Sequence, residues 1–328
     1  MKFPFRRRLA LGAAAACLLG AAATPSQAGA WPERPVTLYV GFAPGGAADI
    51  VARVLGEELG KRLGQRVVIE NKSGAGGNLA TQAVVSQPAD GYSVLLAAIN
   101  LATNPALMGV KYDPATDLQM VAQVTSVPVV MLVPAAGRLK TPADVIAAGR
   151  IEPGLKVGSG GNGTSSHLAA ELFSRAEKVR ILHVPYRGGA PANQALMGGE
   201  LDLMFDLMSG SLKSLIDGQR IRPLAVMQDS RIATLPNVPS AKELGLDSST
   251  HIRSWQGLAV RSGTPADIVD KLHAATVAAA SSPQVRERIE QLGSELTTSR
   301  SPAEFQQLYR AELVRWTGII KAANIRTE

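Results

Sequence analysis

Cysteine is almost missing from this 328-residue chain, with Cys17 the single example. One thiol cannot build a disulfide framework. Cys17 also lies in a segment marked for removal, so a thiolate nucleophile and a cysteine metal site are excluded from the remainder. Aromatic residues amount to 4 % and do not interleave with blocks of Lys and Arg, which argues against a nucleic-acid partner. Histidine occurs at His167, His183, His251 and His273, without clustered acids to complete a metal set. Neither a G-x-S-x-G elbow nor an H-E-x-x-H helix is present. Past the first 30 residues, no apolar run reaches the roughly 18 residues of a membrane span. The expectation there is a soluble chain.

What is present begins with a leader. Lys2, Arg6, Arg7 and Arg8 precede an apolar stretch, Leu9–Ala23, that is too short to cross a membrane comfortably. Ser26-Gln27-Ala28 and Ala28-Gly29-Ala30 both have the small-x-small form of a signal-peptidase site. Residues 1–30 are therefore expected to be a signal peptide, cut near Ala28 or Ala30, on a periplasmic protein. Arg6-Arg7-Arg8-Leu9 leaves twin-arginine export open beside the ordinary route. Cys17, following a run of alanines, leaves a lipid anchor open. The formal charge of +7 shrinks without the leader, which holds four bases and no acid, so 30 bases face 27 acids.

Beyond the leader, short apolar runs alternate with helical patterns. Strands are expected over 36–40, 66–70, 93–98, 155–157, 180–184, 201–205 and 221–226. Helices are expected over 50–63, 77–86, 165–174, 190–197 and 212–216, then over 267–280, 284–292 and 302–323. This rhythm predicts an α/β fold with mostly parallel sheets flanked by helices. Two segments break it and read as crossovers: Val121–Gly137, too long and β-branched for an ordinary strand, and Ser254–Pro265. A chain that leaves one lobe, builds a second and returns gives a two-lobe, Venus-flytrap architecture joined by two crossing strands. The expected first lobe comprises 31–130 and 255–328, and the second 131–254. The cleft between such lobes is a default ligand site, and the crossing strands are its hinge.

Three glycine-rich loops sit where a strand hands over to a helix. The first, "FAPGGAAD" (Phe42–Asp49), has no Lys-Ser/Thr after its glycines and is not a Walker loop. Gly45 and Gly46 would let a ligand approach bare backbone, and the turn can require φ > 0 at Gly46. The helix start behind them suits a carboxylate. A tight turn with no ligand explains the same residues. Asp49 can serve its own helix start or touch a ligand amine or hydroxyl. The second loop is "NKSGAGGNLA" (Asn71–Ala80). In the third, "VGSGGNGTSSHLAAELF" (Val157–Phe173), Gly158, Gly160 and Gly163 match G-x-G-x-x-G. The dinucleotide fingerprint expects an acid about 20 residues on, where this chain has His183-Val184-Pro185-Tyr186-Arg187. Thr164, Ser165 and Ser166 instead offer caps and an oxyanion site. His167 and His183 read as buried, hydrogen-bonded residues. Asp206 is placed at a strand's carboxyl end beside the cleft.

The segments "WPERPVTLYVGFAPGGAADIVARVL", "LGQRVVIENKSGAGGNLATQAV", "GSGGNGTSSHLAAELF", "HVPYRGGAPANQALMGGELDLMF" and "SWQGLAVRSGTP" together resemble the Bug-type substrate-binding receptors of tripartite tricarboxylate transporters. The resemblance covers nearly all of the chain after the leader. It implies a periplasmic two-lobe receptor that closes on a small organic carboxylate, held mainly by backbone amides and bridging waters. The first-lobe positions implied are Phe42, Gly45, Gly46, Ala47 and Ala48, with Asn78 and Asn100 to Thr103 nearby. The second lobe supplies Ser159, Gly160, Thr164, Ser165, Arg187, Gly188 and Asp206. Relatives often carry Ser or Thr where this chain has Ala48, which removes a hydroxyl.

The resulting expectation is an exported solute-binding receptor without catalysis, cofactor, metal or nucleic acid. It is expected to act as a monomer with transporter membrane subunits as partners. A sensory module binding the same ligand, and an α/β enzyme using the His167/His183 region, remain as alternatives.

Overall fold

The computed structural model of the protein describes residues 31–326. The leader expected over 1–30, with its cleavage site and Cys17, lies outside them. Alternation of apolar residues fixes the strands. In β1 (Val36–Val40), Val36, Leu38 and Val40 enter one buried cluster and Tyr39 another. Both faces are therefore covered, as a parallel sheet requires. The chain continues through α1 (Ala47–Leu63), β2 (Val67–Asn71), α2 (Asn78–Val85), β3 (Ser93–Ala98), α3 (Asn100–Leu107) and β4 (Leu118–Pro134). Next come α4 (Pro142–Gly149), β5 (Leu155–Ser159), α5 (Ser165–Glu177), β6 (Ile181–Pro185), α6 (Gly189–Met197), β7 (Leu203–Leu207), α7 (Gly210–Asp217) and β8 (Ile221–Val226). It returns through β9 (Arg253–Arg261), α8 (Ala266–Ala280), α9 (Pro283–Gln291), β10 (Glu295–Leu296) and α10 (Pro302–Ala322).

Two lobes result. One is built on strands in the order β2-β1-β3-β9-β4-β10, the other on β6-β5-β7-β4-β8. β1 runs parallel to β2 and β3, and β5 parallel to β6 and β7. β4 and β9 run antiparallel to their neighbours. The segment expected as a crossover is a single strand of 17 residues. Over Leu118–Pro128 it pairs with β9, and from Val129 onward with β7 and then β8. The exchange falls at Pro128, which has no N–H to offer a ladder. Helix α10 buries Phe305, Tyr309 and Trp316 in the same apolar cluster as Leu168 and Phe173 of α5, so it braces both lobes. The consequence for function is positional: the carboxyl ends of β1, β3, β5 and β7 all point toward the gap between the lobes.

Candidate functional site

The first loop is held from beneath by Asp49. Its carboxylate accepts from Gly45 N at 2.9 Å, Arg53 Nε at 2.9 Å and Asn71 Nδ2 at 2.9 Å. Asn71 Nδ2 also donates to the Phe42 carbonyl at 3.0 Å. Burial pushes the Asp49 carboxyl up, but the hydrogen bonds from Arg53, Gly45 and Asn71 outweigh it and hold the group below its ordinary value. With Asp49 reaching back to Gly45, no side chain caps α1 at Gly46. The first-turn N–H groups of α1 are left to whatever lies in front of them. The left-handed residue is Gly45, at φ 86°, not Gly46. Gly46 sits at φ −81° and ψ 171°, which any residue adopts, so the expected need for φ > 0 at Gly46 is corrected. Openness at Gly46 matters because a Cβ there would lie 3.9 Å from Gly189 N of the other lobe.

The second-lobe loop is stiffened by its own hydroxyls. Thr164 caps α5, accepting from His167 N, and donates to the Gly161 carbonyl at 2.6 Å. Gly160 N donates to Ser166 Oγ at 2.9 Å. Ser159 Oγ is 2.6 Å from His183 Nε2, and His167 Nδ1 accepts from Gly163 N at 3.1 Å. The two imidazoles stack with centroids 4.1 Å apart. Burial drives His167 down to about 3, helped by His183, and His183 down to about 4. Both rings are therefore neutral struts under the loop. Among the described residues no group of three or more His, Cys, Asp or Glu could hold a metal ion.

Between the lobes lies a tight cavity. It admits the centres of water-sized spheres over only about 40 Å³. Nine of the expected site residues line it: Phe42, Gly46, Ala47, Ala48, Asn100, Gly160, Thr164, Ser165 and Asp206. The starts of α1, α3, α5 and α6 converge there, and among the described residues no Lys, Arg or His lines it. The other six expected residues stand outside the lining. Gly45 and Asp49 shape the first loop from behind. Asn78 is buried, with its Oδ1 accepting from Asn104 Nδ2 and the Tyr112 hydroxyl. Ser159 bonds to His183. Arg187 offers its carbonyl to Ala43 N at 2.9 Å and belongs to the lining of a separate depression that includes Gly74–Gly77. Gly188 packs against Ala43.

Ser166 and Gly189, which belong to loops the sequence already pointed to, also line it, whereas sequence reasoning missed Ala98, Ile99, Leu207, Ser254 and Gln256. Ala98 ends β3 and Ile99 follows it, so the rule that ligands sit at strand carboxyl ends could have found them. Ser254 and Gln256 lie on β9, read only as a crossover. A broader open groove of about 750 Å³ runs along α1 and β2. Two of its three cations, Arg53 and Lys61, are paired with Asp49 and with Glu57 and Glu58, and the third is Arg66.

Asp206 is the ionisable side chain of the cavity lining. Its carboxyl accepts from Asn193 Nδ2 at 2.8 Å and Leu207 N at 2.8 Å. Burial nevertheless lifts it to about 6. It lies directly beneath the start of α6: a Cβ on Gly189 would come within 2.6 Å of both of its oxygens. A bare glycine is the way α6 can begin over this acid.

Comparisons with known proteins point the same way as the geometry. A family model described as the tripartite tricarboxylate transporter family receptor matches residues 51–325. A protein of Pseudomonas sp. (strain P51), described as a UPF0065 protein in the tcbD-tcbE intergenic region, is 33 % identical over 317 residues, 96 % of this chain and 94 % of its own. Among solved structures, R. palustris Rpa4515 with adipate is 34 % identical with a TM-score of 0.85, over 90 % of this chain and 99 % of that one. MatC from Rhodopseudomonas palustris, with bound malate, is 32 % identical with a TM-score of 0.84, over 88 % of this chain and 100 % of that one. Two lobes sharing one long strand, helix starts gathered at the gap, and a family match over most of the length agree: the chain belongs to the receptor family of the tripartite tricarboxylate transporters.

Proposed function

We propose that this receptor is exported to the periplasm, closes its two lobes on a small organic carboxylate and delivers it, as a monomer, to the membrane subunits of a transporter. The lobes are assigned to 31–130 with 255–328 and to 131–254, and the leader is cut near Ala28 or Ala30. One observation carries the ligand class: four helix starts, those of α1, α3, α5 and α6, meet in a cavity lined, among the described residues, by no cationic side chain. Each helix start carries about half a positive charge and N–H groups with no partner inside its own helix, of which Thr164 meets one at α5. A carboxylate satisfies both without a lysine or arginine. The adipate and malate bound in the two solved relatives support the same class. Closure is favoured to the extent that the ligand binds the closed form better than the open one.

Thermal unfolding across mono-, di- and tricarboxylates, with uncharged amides of equal size as controls, tests this. A carboxylate at 100 times its Kd should add about 2.7 kcal/mol of stability, while the amides leave the transition unmoved. If no carboxylate stabilises the protein, the reading falls.

A further inference from the structure

Gln256 lies on β9, in register with Ala98 of β3 on one side and Thr125 of β4 on the other. Its side chain is 0 % exposed and lines the cavity. Gln256 Oε1 accepts from Thr125 Oγ1 at 3.4 Å. Its Nε2 has no hydrogen-bond partner among the described residues. Buried amide donors are seldom left unmet, because the lost hydration is not replaced. The residue that carries this one is part of the lining of the cavity between the lobes.

Gln256 stands on a strand, not on one of the loops that bring helix starts to the cavity. The cavity's strand-borne lining includes Ala98, Leu207, Ser254 and Gln256. A donor on β9 therefore addresses another part of the ligand than the loop backbone does. We propose that Gln256 is a specificity-determining contact of this receptor, donating through Nε2 to a second oxygen function of the bound acid. An acid that meets this donor carries an oxygen function besides its first carboxylate, as the malate and adipate of the two solved relatives do. This inference rests on the carboxylate reading above and deepens it. An alkanoate of equal length would shut the lobes over an unmet donor, and sites built around a hydrogen bond reject ligands that cannot make it.

Calorimetric titration of the exported protein decides the matter, using butanoate, pentanoate and hexanoate against the ω-hydroxy acid and the diacid of each length. In the parent, the best oxygen-bearing acid should bind at least about tenfold tighter than its alkanoate. Gln256→Met keeps the volume and removes the donor, so it should bring the two within about threefold while alkanoate binding persists. Gln256→Glu replaces the donor by an acceptor and should disfavour the diacid more than the hydroxy acid, which tells the two oxygen sources apart. No preference in the parent overturns the proposal whether or not a variant folds. An intact preference in folded Gln256→Met overturns it too. If none of these acids binds and no carboxylate of the thermal series stabilises the protein, the carboxylate reading itself is wrong and this inference goes with it; if another carboxylate stabilises it, these acids overturn only the role of Gln256. Binding without preference removes only the role of Gln256.

Discussion

Asp49 and Asp206 are both buried carboxyls, at 3 % and 8 % exposure, yet their surroundings move them in opposite directions. Burial acts on each. Asp49 meets a guanidinium, a backbone amide and a side-chain amide, which together overcome it. Asp206 meets only Asn193 and the Leu207 amide, and burial wins, leaving it at about 6 against an ordinary 3.8. The sign of the consequence follows from proton counting. Below pH 3.8 both folded and unfolded chains hold this proton. Between 3.8 and 6 only the folded chain does, so stability falls as pH rises through that window. Above it the loss stays near 3 kcal/mol, at about 1.4 kcal/mol per unit. Asp206→Asn removes the titration. Its single acceptor oxygen leaves one of the two donors unmet, a penalty of about 1–3 kcal/mol that does not depend on pH. Denaturant unfolding of parent and variant at pH 4, 5, 6 and 7.5 should show the variant gaining steadily on the parent. Taking the difference cancels His167 and His183, whose depressed values work the other way, costing stability as pH falls below 6.5. A difference that is flat with pH would show that Asp206 does not titrate in this range.

Helix α1 begins at the cavity, and its start tests the carboxylate site. Gly46→Ala fits the backbone and the space, with its Cβ in ordinary contact with Ala43 O at 3.8 Å and Gly189 N at 3.9 Å. Gly46→Val puts methyl groups between the starts of α1 and α6. We expect the valine variant to keep its circular dichroism and melting transition, and to lose carboxylate affinity by well over about tenfold, or about 1.4 kcal/mol, with the alanine variant in between. Folded Gly46→Val that binds as the parent does would make this loop a turn and nothing more.

Much at this scale was legible in the sequence, and the exceptions have causes. β1, β3 and β8 follow from apolar runs bounded by turn residues, and all three match the expected limits. Helix α3 was not expected: it is eight residues long and contains Pro105, so propensity argues against it and packing on α10 sustains it. Helix α4 was also passed over, although Thr141 and Asp144 form a capping box there. The first loop could be read because a helix start and its glycines are local. The unmet amide of Gln256 could not, because it arises only where β3, β9 and β4 lie side by side.

At the scale of the whole molecule, the lobes are tied by direct hydrogen bonds around the cavity. Ala43 N donates to the Arg187 carbonyl, Thr103 Oγ1 to the Gly163 carbonyl, and Ser211 Oγ to the Gly45 carbonyl at 2.8 Å. Each joins a loop or helix of one lobe to the other, so each exists only when the lobes are together. Ser211 is the one to remove, because the other contact of its hydroxyl, Ser209 Oγ at 3.1 Å, lies within its own lobe. It stands on α7, outside the cavity lining, and grips the carbonyl of the left-handed glycine that turns the chain into α1. Ser211→Ala leaves every lining residue in place and takes away about 1 kcal/mol of closed-state hydrogen bonding. Since only the closed form completes the ligand's contacts, that loss passes to the apparent affinity as a drop of about fivefold. Ser214→Ala is the matched control, because its hydroxyl bonds only to the Gly210 carbonyl within α7. Calorimetry with a bound carboxylate should show Ser211→Ala weakened, chiefly through faster release, and Ser214→Ala unchanged. Small-angle scattering without ligand should show Ser211→Ala more extended than the parent. Equal affinity and equal radius in parent and Ser211→Ala would mean that the ligand alone, and not the contacts at the rim, holds the lobes shut.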